Sequence, residues 1–211
     1  SVDAKAKADE LIEFILEQTT VFPTPDDYII FLTGVGNFRH EISKTHKYKG
    51  NRSDSEKPIH LPIIRDHFVN RYGAIVSEGE EADDLIAKEA TRLNNKVVVA
   101  SIDKDMLQIP CWHFNFGKNE WKKVSKWEGL KFFYTQILTG DRADNIVGLW
   151  KVGPVRASKI LQECNTEYDL WSACLGAYDG NKDRVVENAR LLWLRKKDNE
   201  IWQPPKEEDT L

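Results

Sequence analysis

The spacing of apolar residues predicts alternating helices and strands in the first half of the chain. Apolar side chains recur at helical spacing over three stretches, and short apolar runs without a helical face lie between them. The predicted helices cover residues 6–18, 58–72 and 83–93, and the predicted strands cover residues 28–32, 74–76 and 96–102. Pro23 and Pro25 are predicted to end the first helix, and Gly34 and Gly36 to end the first strand. This alternation predicts an α/β fold in which helices cover a mostly parallel central sheet.

The pattern changes near residue 125, after which helical spacing dominates and the rest of the chain is predicted to be all helical. Four further helices are predicted, over residues 127–138, 154–163, 168–177 and 183–195. The chain is therefore expected to have three parts. They are an α/β core over residues 1–125, a helical part over residues 126–205 and a polar tail over residues 206–211.

Composition indicates a folded, soluble chain. Of its 211 residues, 41% are hydrophobic and 30% are charged, which permits a substantial core and argues against disorder. No apolar run approaches the length that a bilayer requires, and the polar first residues do not resemble a signal peptide. Cys111, Cys164 and Cys174 lack paired spacing and are predicted to be free, mostly buried thiols in a reducing compartment. We expect a cytoplasmic monomer without a membrane partner or a small-molecule cofactor.

Charges are unevenly distributed, although the net charge is only −4. Residues 39–57 carry six lysines and arginines against three acids, and a second basic run covers residues 190–197. Local basic patches of this kind are compatible with a phosphate-bearing polymer as partner. An acidic chain can therefore still bind nucleic acid.

Acidic residues are grouped at three places beside predicted strands and helices. The groups are Glu80, Glu81, Asp83 and Asp84, then Asp103 and Asp105, then Asp141 and Asp144. Any one acid also fits an ordinary helix cap or polar turn, because a helix N-terminus favours acids. Carboxylates gathered in one place repel each other unless cations neutralise them, and ligands that are all oxygen favour Mg²⁺ or Mn²⁺. If the three groups converge, they predict metal-ion catalysis.

A glycine-containing turn follows the third acidic group. Residues 148–157, which we call the glycine turn, read Gly-Leu-Trp-Lys-Val-Gly-Pro-Val-Arg-Ala and lead into a predicted helix. Backbone N–H groups exposed by such a turn bind a phosphate without contacting a base. Many helix hairpins carry glycine, so the turn alone is modest evidence for a phosphate site.

In their order and spacing, these motifs resemble those of the 5′-nuclease superfamily, closest to its bacterial and phage branch. The matching stretches are Phe38-Arg39, Tyr48-Lys49-Gly50-Asn51-Arg52, Glu81-Ala82-Asp83-Asp84, Asp103-Lys104-Asp105, Gly140-Asp141, Asp144-Asn145 and the glycine turn. The superfamily includes the 5′-nuclease domain of DNA polymerase I, flap endonucleases and phage 5′–3′ exonucleases. The resemblance implies a nuclease that hydrolyses phosphodiesters of DNA, at branched or duplex ends, with two metal ions.

The resemblance also implies a role for each matching residue. Glu81, Asp83 and Asp84 match the first metal site, and Asp103, Asp105, Asp141 and Asp144 match the second. Arg39, Lys49 and Arg52 match the basic residues that hold the 5′ end, where a cation beside the scissile phosphate offsets developing charge. A solvated, flexible basic loop is the competing explanation for these three residues.

The glycine turn matches the helix-hairpin-helix element, also called helix-three-turn-helix, which holds the duplex backbone. The residues implied in DNA binding are Lys151, Val152, Gly153, Val155, Arg156 and Lys159. Relatives often bind K⁺ at this element, but Lys151 stands where the family usually has glycine, so K⁺ is expected only as an option. Most of the seven tryptophans are predicted to be core residues, and Trp150 is the one placed to touch DNA.

Two acids of the family pattern are missing. The family begins with an apolar strand that ends in an aspartate, whereas this sequence begins inside what matches the following helix, so we expect the core to lack that strand. A second aspartate usually follows the strand predicted at residues 28–32, where this sequence continues with Thr33 and Gly34. The first metal site is therefore expected to bind its ion weakly, whereas the second has all its acids.

Two other classes of function stay open. A structure-specific DNA-binding protein that has lost catalysis would explain the missing acids. An RNase of the related PIN type would use a similar acidic site, but the glycine turn argues against it because that element serves duplex binding. The sequence therefore predicts a metal-dependent DNA nuclease, with the weakened DNA-binding protein as its alternative.

Overall fold

The computed structural model describes residues 2–20, 27–52 and 57–207. The predicted helix end at Pro23 and Pro25, and residues 208–211 of the predicted tail, lie outside these residues. The chain divides into two compact units. The first unit contains residues 1–37, 54–106 and 111–123, and the second contains residues 38–53, 107–110 and 124–211.

The described helices and strands alternate at first and then become mainly helical. In chain order they are α1 (Val2–Thr19), β1 (Phe31–Val35), α2 (Arg39–Ile42), α3 (Leu61–Tyr72), β2 (Ile75–Glu78), α4 (Ala82–Arg92), β3 (Val98–Ala100), β4 (Trp112–Asn115), β5 (Glu120–Lys123), α5 (Lys126–Thr139), β6 (Gly140–Asp141), β7 (Ile146–Val147), α6 (Pro154–Ile160), α7 (Glu167–Ala177) and α8 (Lys182–Leu192). A short 3₁₀ helix, Lys104–Gln108, lies between β3 and β4. Every helix that the sequence predicted is present.

The strands of the first unit confirm the predicted α/β class. β1 pairs in parallel with β2, and β3 pairs in parallel with β4, so helices connect parallel strands as this class requires. β5 then pairs antiparallel with β4. Among the described strands of this unit, β1 and β2 form a two-stranded sheet, and β3, β4 and β5 form a three-stranded sheet.

Glycine at position 34 allows β1 and β2 to approach closely, and it does not end the strand as the sequence had suggested. A Cβ at Gly34 would collide with the carbonyl oxygen of Ser77 in β2, so only glycine fits there. The Gly34 N–H also donates to Ser77 Oγ at 3.0 Å. β1 therefore lies three residues further along than the predicted strand at residues 28–32, and Gly36, at a φ of 75°, follows its end.

The β4–β5 pair was not predicted, and it supplies the aromatic core of the first unit. Phe114 in β4 is fully buried and lies between Phe14 of α1 and Trp121 of β5, with ring centroids 5.9 and 4.8 Å apart. Alternating aromatic residues before the turn at Gly117 are a strand and hairpin signal in the sequence. No strand was predicted from this signal.

A half-buried network joins α1 to α3 in the first unit. Asp9 Oδ1 lies 2.6 Å from His67 Nε2, accepts a hydrogen bond from Tyr72 Oη at 2.6 Å, and lies 3.4 Å from Arg71 Nε. The Tyr72 hydrogen bond, the His67 hydrogen bond and the charge of Arg71 favour the ionised carboxylate, so the pKa of Asp9 is lowered from its ordinary value. The network thus makes the stability of the first unit depend on the ionised form of Asp9.

We expect Asp9→Asn to make the stability of the fold less dependent on pH in the acid range. Because the folded-state pKa of Asp9 is lowered, its contribution is present above the ordinary pKa of 3.8 and is lost as pH falls through the folded-state pKa. The measurement is the urea midpoint as a function of pH below neutrality. Asp3→Asn is the matched control, since Asp3 pairs with Lys7 at 3.5 Å in an exposed i,i+4 pair on the same helix. Equal acid sensitivity of the parent and Asp9→Asn would contradict the prediction.

The second unit has a helical core of its own. α5, α7 and α8 surround buried aromatic and aliphatic side chains, and α5 begins at Ser125, whose Oγ accepts a hydrogen bond from the Glu128 N–H at 3.2 Å. The prediction that this half is all helical was wrong in one detail. β6 and β7 form a two-residue antiparallel pair after α5, and this pair turns the chain toward residues 148–157.

Two segments from the first half of the sequence pack within the second unit. Tyr48 is only 1% exposed and belongs to the core of that unit. Gln108 Nε2 donates hydrogen bonds to Gln136 Oε1 and to the Leu192 carbonyl, both at 2.8 Å. These contacts explain why residues 38–53 and 107–110 group with α5 and α8 rather than with the strands next to them in sequence.

The three cysteines are free and buried, as predicted. Burial raises the pKa of Cys111 to about 12 and also raises the pKa of Cys174, so both stay protonated thiols at neutral pH. In the part of the chain that the structure describes, no helix combines the length and the apolar character needed to cross a bilayer.

Candidate active site

The first acidic group lies at the start of α4 in the first unit. Glu81 precedes the helix, and its N–H donates to Asp84 Oδ2 at 3.2 Å, so Asp84 also serves as a helix cap. Glu81 is 9% exposed and Asp84 is fully buried, whereas Asp83 is half-buried. Glu80, the fourth acid of the group, pairs with Lys88 Nζ at 2.5 Å. Helix capping and one ion pair thus explain part of this cluster.

Thr33 lies where the family pattern places its second metal-binding aspartate, and its side chain contacts the same helix start. The Ala82 N–H donates to Thr33 Oγ1 at 3.1 Å. β1 therefore reaches the acidic group through its central residue, which contributes a hydroxyl that stabilises α4 instead of a carboxylate. This contact fits the expectation that the first metal site is short of one acid.

Thr33→Val is expected to lower the free energy of unfolding by about 0.5–2 kcal/mol, because it removes the acceptor for a first-turn N–H of α4. Chemical denaturation measures this loss. Thr33→Ser keeps the hydroxyl and should retain most of the stability. If valine and serine were equally well tolerated, the hydroxyl would have no capping role.

The second acidic group follows β3. Asp103 Oδ1 accepts the Asp105 N–H at 2.9 Å, and the Asp103 N–H donates to Ser101 Oγ at 3.0 Å. Asp103 thus caps the short 3₁₀ helix, as its helix-cap interpretation suggested. Asp103 is exposed and Asp105 is half-buried, so this group has a solvent-accessible carboxylate.

The third acidic group lies in the second unit, between β6 and β7. Asp141 is 4% exposed, and its Oδ1 accepts the N–H of Ala143 at 2.7 Å and that of Asp144 at 3.4 Å. These bonds form a tight turn that fixes Asp144 relative to Asp141.

Asp144 accepts hydrogen bonds from the basic segment, residues 47–52, of the same unit. Tyr48 Oη donates to Asp144 Oδ2 at 2.7 Å. Arg52 Nη2 lies 2.8 Å and Lys49 Nζ lies 3.7 Å from Asp144 Oδ1. Lys49 and Asp144 are mostly buried, with side chains 18% and 17% exposed, so this ion pair is partly shielded from water. A predicted metal ligand and two predicted phosphate contacts therefore meet at one carboxylate.

Backbone and amide hydrogen bonds fix the basic segment to the same turn. The Lys49 N–H donates to the Asp144 carbonyl at 2.8 Å. Asn51 Nδ2 donates to the Arg142 carbonyl at 2.6 Å, and Asn145 Nδ2 donates to the Lys47 carbonyl at 2.9 Å. These bonds argue against the explanation of Lys49 as part of a flexible, solvated loop, whereas the Arg52 side chain is 57% exposed.

Arg39 is in a different environment from the one predicted. It is 2% exposed, and its guanidinium donates to the carbonyls of Leu191 and Trp193, both at 2.8 Å. A buried guanidinium that satisfies two carbonyls at the end of α8 stabilises the second unit. This burial argues against the role that the resemblance implies for Arg39, among the basic residues that hold the 5′ end, and that role stays a prediction.

The glycine turn connects β7 to α6 and leaves its basic residues exposed. A Cβ at Gly148 would collide with the backbone of residues 138–140, so the turn packs tightly against the end of α5. Of the predicted DNA-binding residues, Lys151, Gly153, Val155, Arg156 and Lys159 are exposed, whereas Val152 is half-buried and packs against the core. α6 has only seven residues. The helix-hairpin-helix function of this region stays a prediction.

The predicted ligands are distributed over both units and are all carboxylates. Glu81, Asp83, Asp84, Asp103 and Asp105 belong to the first unit, and Asp141 and Asp144 to the second. Over residues 2–20, 27–52 and 57–207, no group of three or more histidine, cysteine or acidic side chains is arranged to hold a metal ion. The donor type fits Mg²⁺ or Mn²⁺. Their convergence into two metal sites stays a prediction.

Four contacts of this site were missed in the sequence. They are the hydroxyl of Tyr48 on Asp144, the amides of Asn51 and Asn145 that join two distant segments, and the Thr33 cap of α4. Tyr48 and Asn51 stand inside the Tyr48–Arg52 stretch that carries the resemblance, so their position was a usable signal. Asn145 stands in the Asp144-Asn145 stretch that also carries the resemblance, whereas nothing local to Thr33 indicates its partner.

A protein-family model and solved structures agree with the resemblance. The model of the 5′-3′ exonuclease, N-terminal resolvase-like domain, matches residues 8–142. A 5′-3′ exonuclease of Mycoplasma genitalium is 30% identical over 163 residues, which cover 68% of this chain and 56% of that protein. The chain thus spans about half the length of that curated relative.

Two structures of a bacteriophage T5 protein share the fold. The T5 D15 protein co-crystallised with metal ions has a TM-score of 0.71 at 18% identity, covering 88% of this chain and 82% of that one. A complex of the T5 D15 flap endonuclease with DNA and metal ions has a TM-score of 0.65 at 17% identity, covering 88% and 80%. From its acidic and basic motifs, its α/β fold and the family match over residues 8–142, this chain belongs to the 5′-3′ exonuclease N-terminal resolvase-like family, in the bacterial and phage branch of the 5′-nuclease superfamily.

Proposed function

We propose that this chain carries the nuclease activity of a metal-dependent 5′ nuclease that hydrolyses phosphodiesters of DNA, as a 5′–3′ exonuclease or a flap endonuclease. The observation that supports this most is the attachment of the basic segment to Asp144. Tyr48, Lys49 and Arg52 all contact that carboxylate, so cations for a phosphate lie directly beside a predicted metal ligand.

In this proposal, the carboxylates hold metal ions and the basic segment binds the reacting phosphate. Glu81, Asp83 and Asp84 belong to the first ion, and Asp103, Asp105, Asp141 and Asp144 to the second. Mg²⁺ or Mn²⁺ would supply an activated water and stabilise the leaving oxygen. Lys49 contributes a mostly buried ammonium group, whose attraction for a phosphate is stronger than that of an exposed lysine because water screens it less.

Asp144 also has an orienting role in this proposal. Its carboxylate pairs with Lys49 and Arg52, and its backbone carbonyl accepts the Lys49 N–H. The cations are thereby held in place before substrate binds, which reduces the entropy lost on binding. A phosphate that approaches the basic segment would replace the Asp144 carboxylate as the partner of Lys49 and Arg52.

Duplex DNA is the proposed partner of the glycine turn. Lys151, Arg156 and Lys159 are exposed there and would neutralise backbone phosphates without reading sequence. Val152, Gly153 and Val155 complete the predicted contact set, and K⁺ stays optional. We assign the nuclease part to residues 1–125 and the DNA-binding part to residues 126–205. The basic segment contributes to catalysis.

A catalytically weakened DNA-binding protein of the same fold is the second candidate. The observation that favours it is Thr33, which supplies a hydroxyl to α4 where the family pattern has a carboxylate. With one acid fewer, the first ion would be bound less tightly, and cleavage would require higher metal concentrations.

The experiment that tests the proposal compares cleavage with binding. A 5′-labelled flap and a matching blunt duplex are incubated with the protein over a range of Mg²⁺ and Mn²⁺ concentrations, and binding of both is titrated in EDTA. Metal-dependent release of labelled products from the 5′ end supports the nuclease. Tight binding without products at any metal concentration supports the second candidate, and neither binding nor cleavage contradicts both.

A further inference from the structure

Trp150 is the outlier among the tryptophans of the second unit. It is 86% exposed, whereas Trp171 and Trp202 are 6% and 5% exposed and pack together in the core with ring centroids 5.8 Å apart. Exposing a large indole ring to water gives up the stability that its burial would contribute. An exposed tryptophan therefore needs an explanation outside the folding of this unit.

The backbone on both sides of Trp150 is fixed. The Leu149 N–H donates to the Leu138 carbonyl at 2.8 Å, and the Val152 N–H donates to the Leu149 carbonyl at 3.1 Å, which closes a turn over residues 149–152. The side chains of Leu149 and Val152 pack against the core of the second unit. The turn thus places its two end residues inward and its two central residues, Trp150 and Lys151, in solvent.

Lys151 stands at a backbone conformation that glycine would adopt more easily. Its φ is 57°, in the left-handed region that side chains with a Cβ adopt at a cost of about 1 kcal/mol. The turn therefore carries a cation at a position where an uncharged glycine would be less strained. Lys151 Nζ lies 5.8 Å from the Trp150 ring centroid, so the cation and the indole are side by side.

The sequence around Trp150 carries only basic charges. Residues 146–162 contain Lys151, Arg156 and Lys159 and no aspartate or glutamate, in a chain whose net charge is −4. Val155, five residues after Trp150, is also apolar and is 75% exposed. Exposed apolar side chains with cations as their neighbours along the chain are complementary to a polyanion that also offers apolar surface, which describes the sugars and bases of DNA.

We propose that Trp150 binds DNA directly, by packing its indole ring against a sugar or a base, while Lys151 and Arg156 contact the flanking phosphates. The proposal rests on the proposed function, because it assigns a contact to the DNA substrate of the same protein. The fixed turn presents the ring with little loss of entropy on binding, and aromatic side chains on bases contribute affinity that does not depend on sequence.

The test separates apolar from electrostatic contributions by their dependence on salt. DNA affinity of the whole chain is measured in EDTA at several salt concentrations for the parent, Trp150→Ala, Trp150→Phe, Lys151→Gly and Ile59→Ala. Removing a phosphate contact makes the plot of log affinity against log salt less steep, by about one unit per lysine, whereas removing an apolar contact lowers affinity equally at every salt concentration.

For Trp150→Ala, we expect an affinity about 5- to 150-fold lower than that of the parent with an unchanged salt slope, and Trp150→Phe should retain most of the affinity. Lys151→Gly should flatten the slope while its thermal midpoint does not fall, since glycine relieves the backbone strain. Ile59→Ala is the matched control, because Ile59 is 84% exposed and lies in the first unit. It should match the parent in both affinity and slope.

The outcomes distinguish this proposal from the proposed function. Parent-like affinity of Trp150→Ala, in a parent that binds DNA, overturns the role of Trp150 and leaves the nuclease untouched. A flattened salt slope in Trp150→Ala also overturns it, since the ring would then act only by positioning Lys151. A parent that binds no DNA at any salt concentration overturns both.

Discussion

Replacing Asp103 and Asp105 together with asparagine is expected to abolish metal-dependent cleavage and to leave the fold intact. Both are predicted ligands of the second metal ion, and asparagine removes the negative charge that this site requires. The loss should exceed the roughly 10- to 100-fold that removal of an outer-shell partner costs a metal site. The measurement is the rate of product release from a 5′-labelled flap.

The local structure indicates that this double variant keeps its fold. Asp103 uses one oxygen to accept the Asp105 N–H at 2.9 Å, and the amide oxygen of asparagine can accept the same bond. The thermal midpoint should therefore stay close to that of the parent. Asp66→Asn, an exposed change in α3 of the same unit, is the matched control and should cleave normally. Cleavage at the parent rate in the double variant would remove both aspartates from the metal site.

Lys49→Ala is expected to slow cleavage far more than it weakens DNA binding. Its mostly buried ammonium is proposed to act on charge that develops at the scissile phosphate, and removing one such preorganised group costs about 10²- to 10³-fold in kcat. Affinity for the duplex depends on many phosphate contacts and should change much less. Single-turnover cleavage and a binding titration on the same flap separate the two effects.

Alanine is the appropriate replacement at this position. Lys49 has a φ of 53°, and alanine has the same difficulty with that backbone conformation as lysine, so the substitution changes the side chain without changing the strain. Lys44→Ala, an exposed lysine outside the basic segment and five residues away, is the matched control and should have little effect on the rate. Equal losses of rate and affinity in Lys49→Ala would make Lys49 a general phosphate contact without a special role in catalysis.

The sequence predicted the element order well because periodicity is a local property. The predicted helices at residues 83–93 and 127–138 correspond to α4 (Ala82–Arg92) and α5 (Lys126–Thr139) within two residues at each end. β1 was misplaced because Gly34 was taken as a strand breaker. Its place inside the strand depends on the close approach of Ser77, which lies 43 residues away.

The candidate site was predicted by residue type more than by arrangement. The acids were found because charges at strand and helix ends are visible in the sequence, and the Tyr48–Arg52 stretch was found through the family resemblance. Arg39 was assigned to the 5′ end because it matches a basic residue of the family pattern, and that pattern carries no information about its burial in this chain. Its burial depends on the carbonyls of Leu191 and Trp193, more than 150 residues further along the chain.

What the sequence by itself determined is the α/β class, the positions of most helices, the oxygen-only chemistry of the acids and the family. These follow from local periodicity, from charge and from the order of short motifs. The tertiary structure alone decided that Tyr48, Lys49 and Arg52 contact Asp144, and that Leu149 and Val152 turn inward while Trp150 stays in solvent. The physical reason is that these features arise from contacts between residues far apart along the chain, 96 positions for Tyr48 and Asp144, which no local pattern encodes.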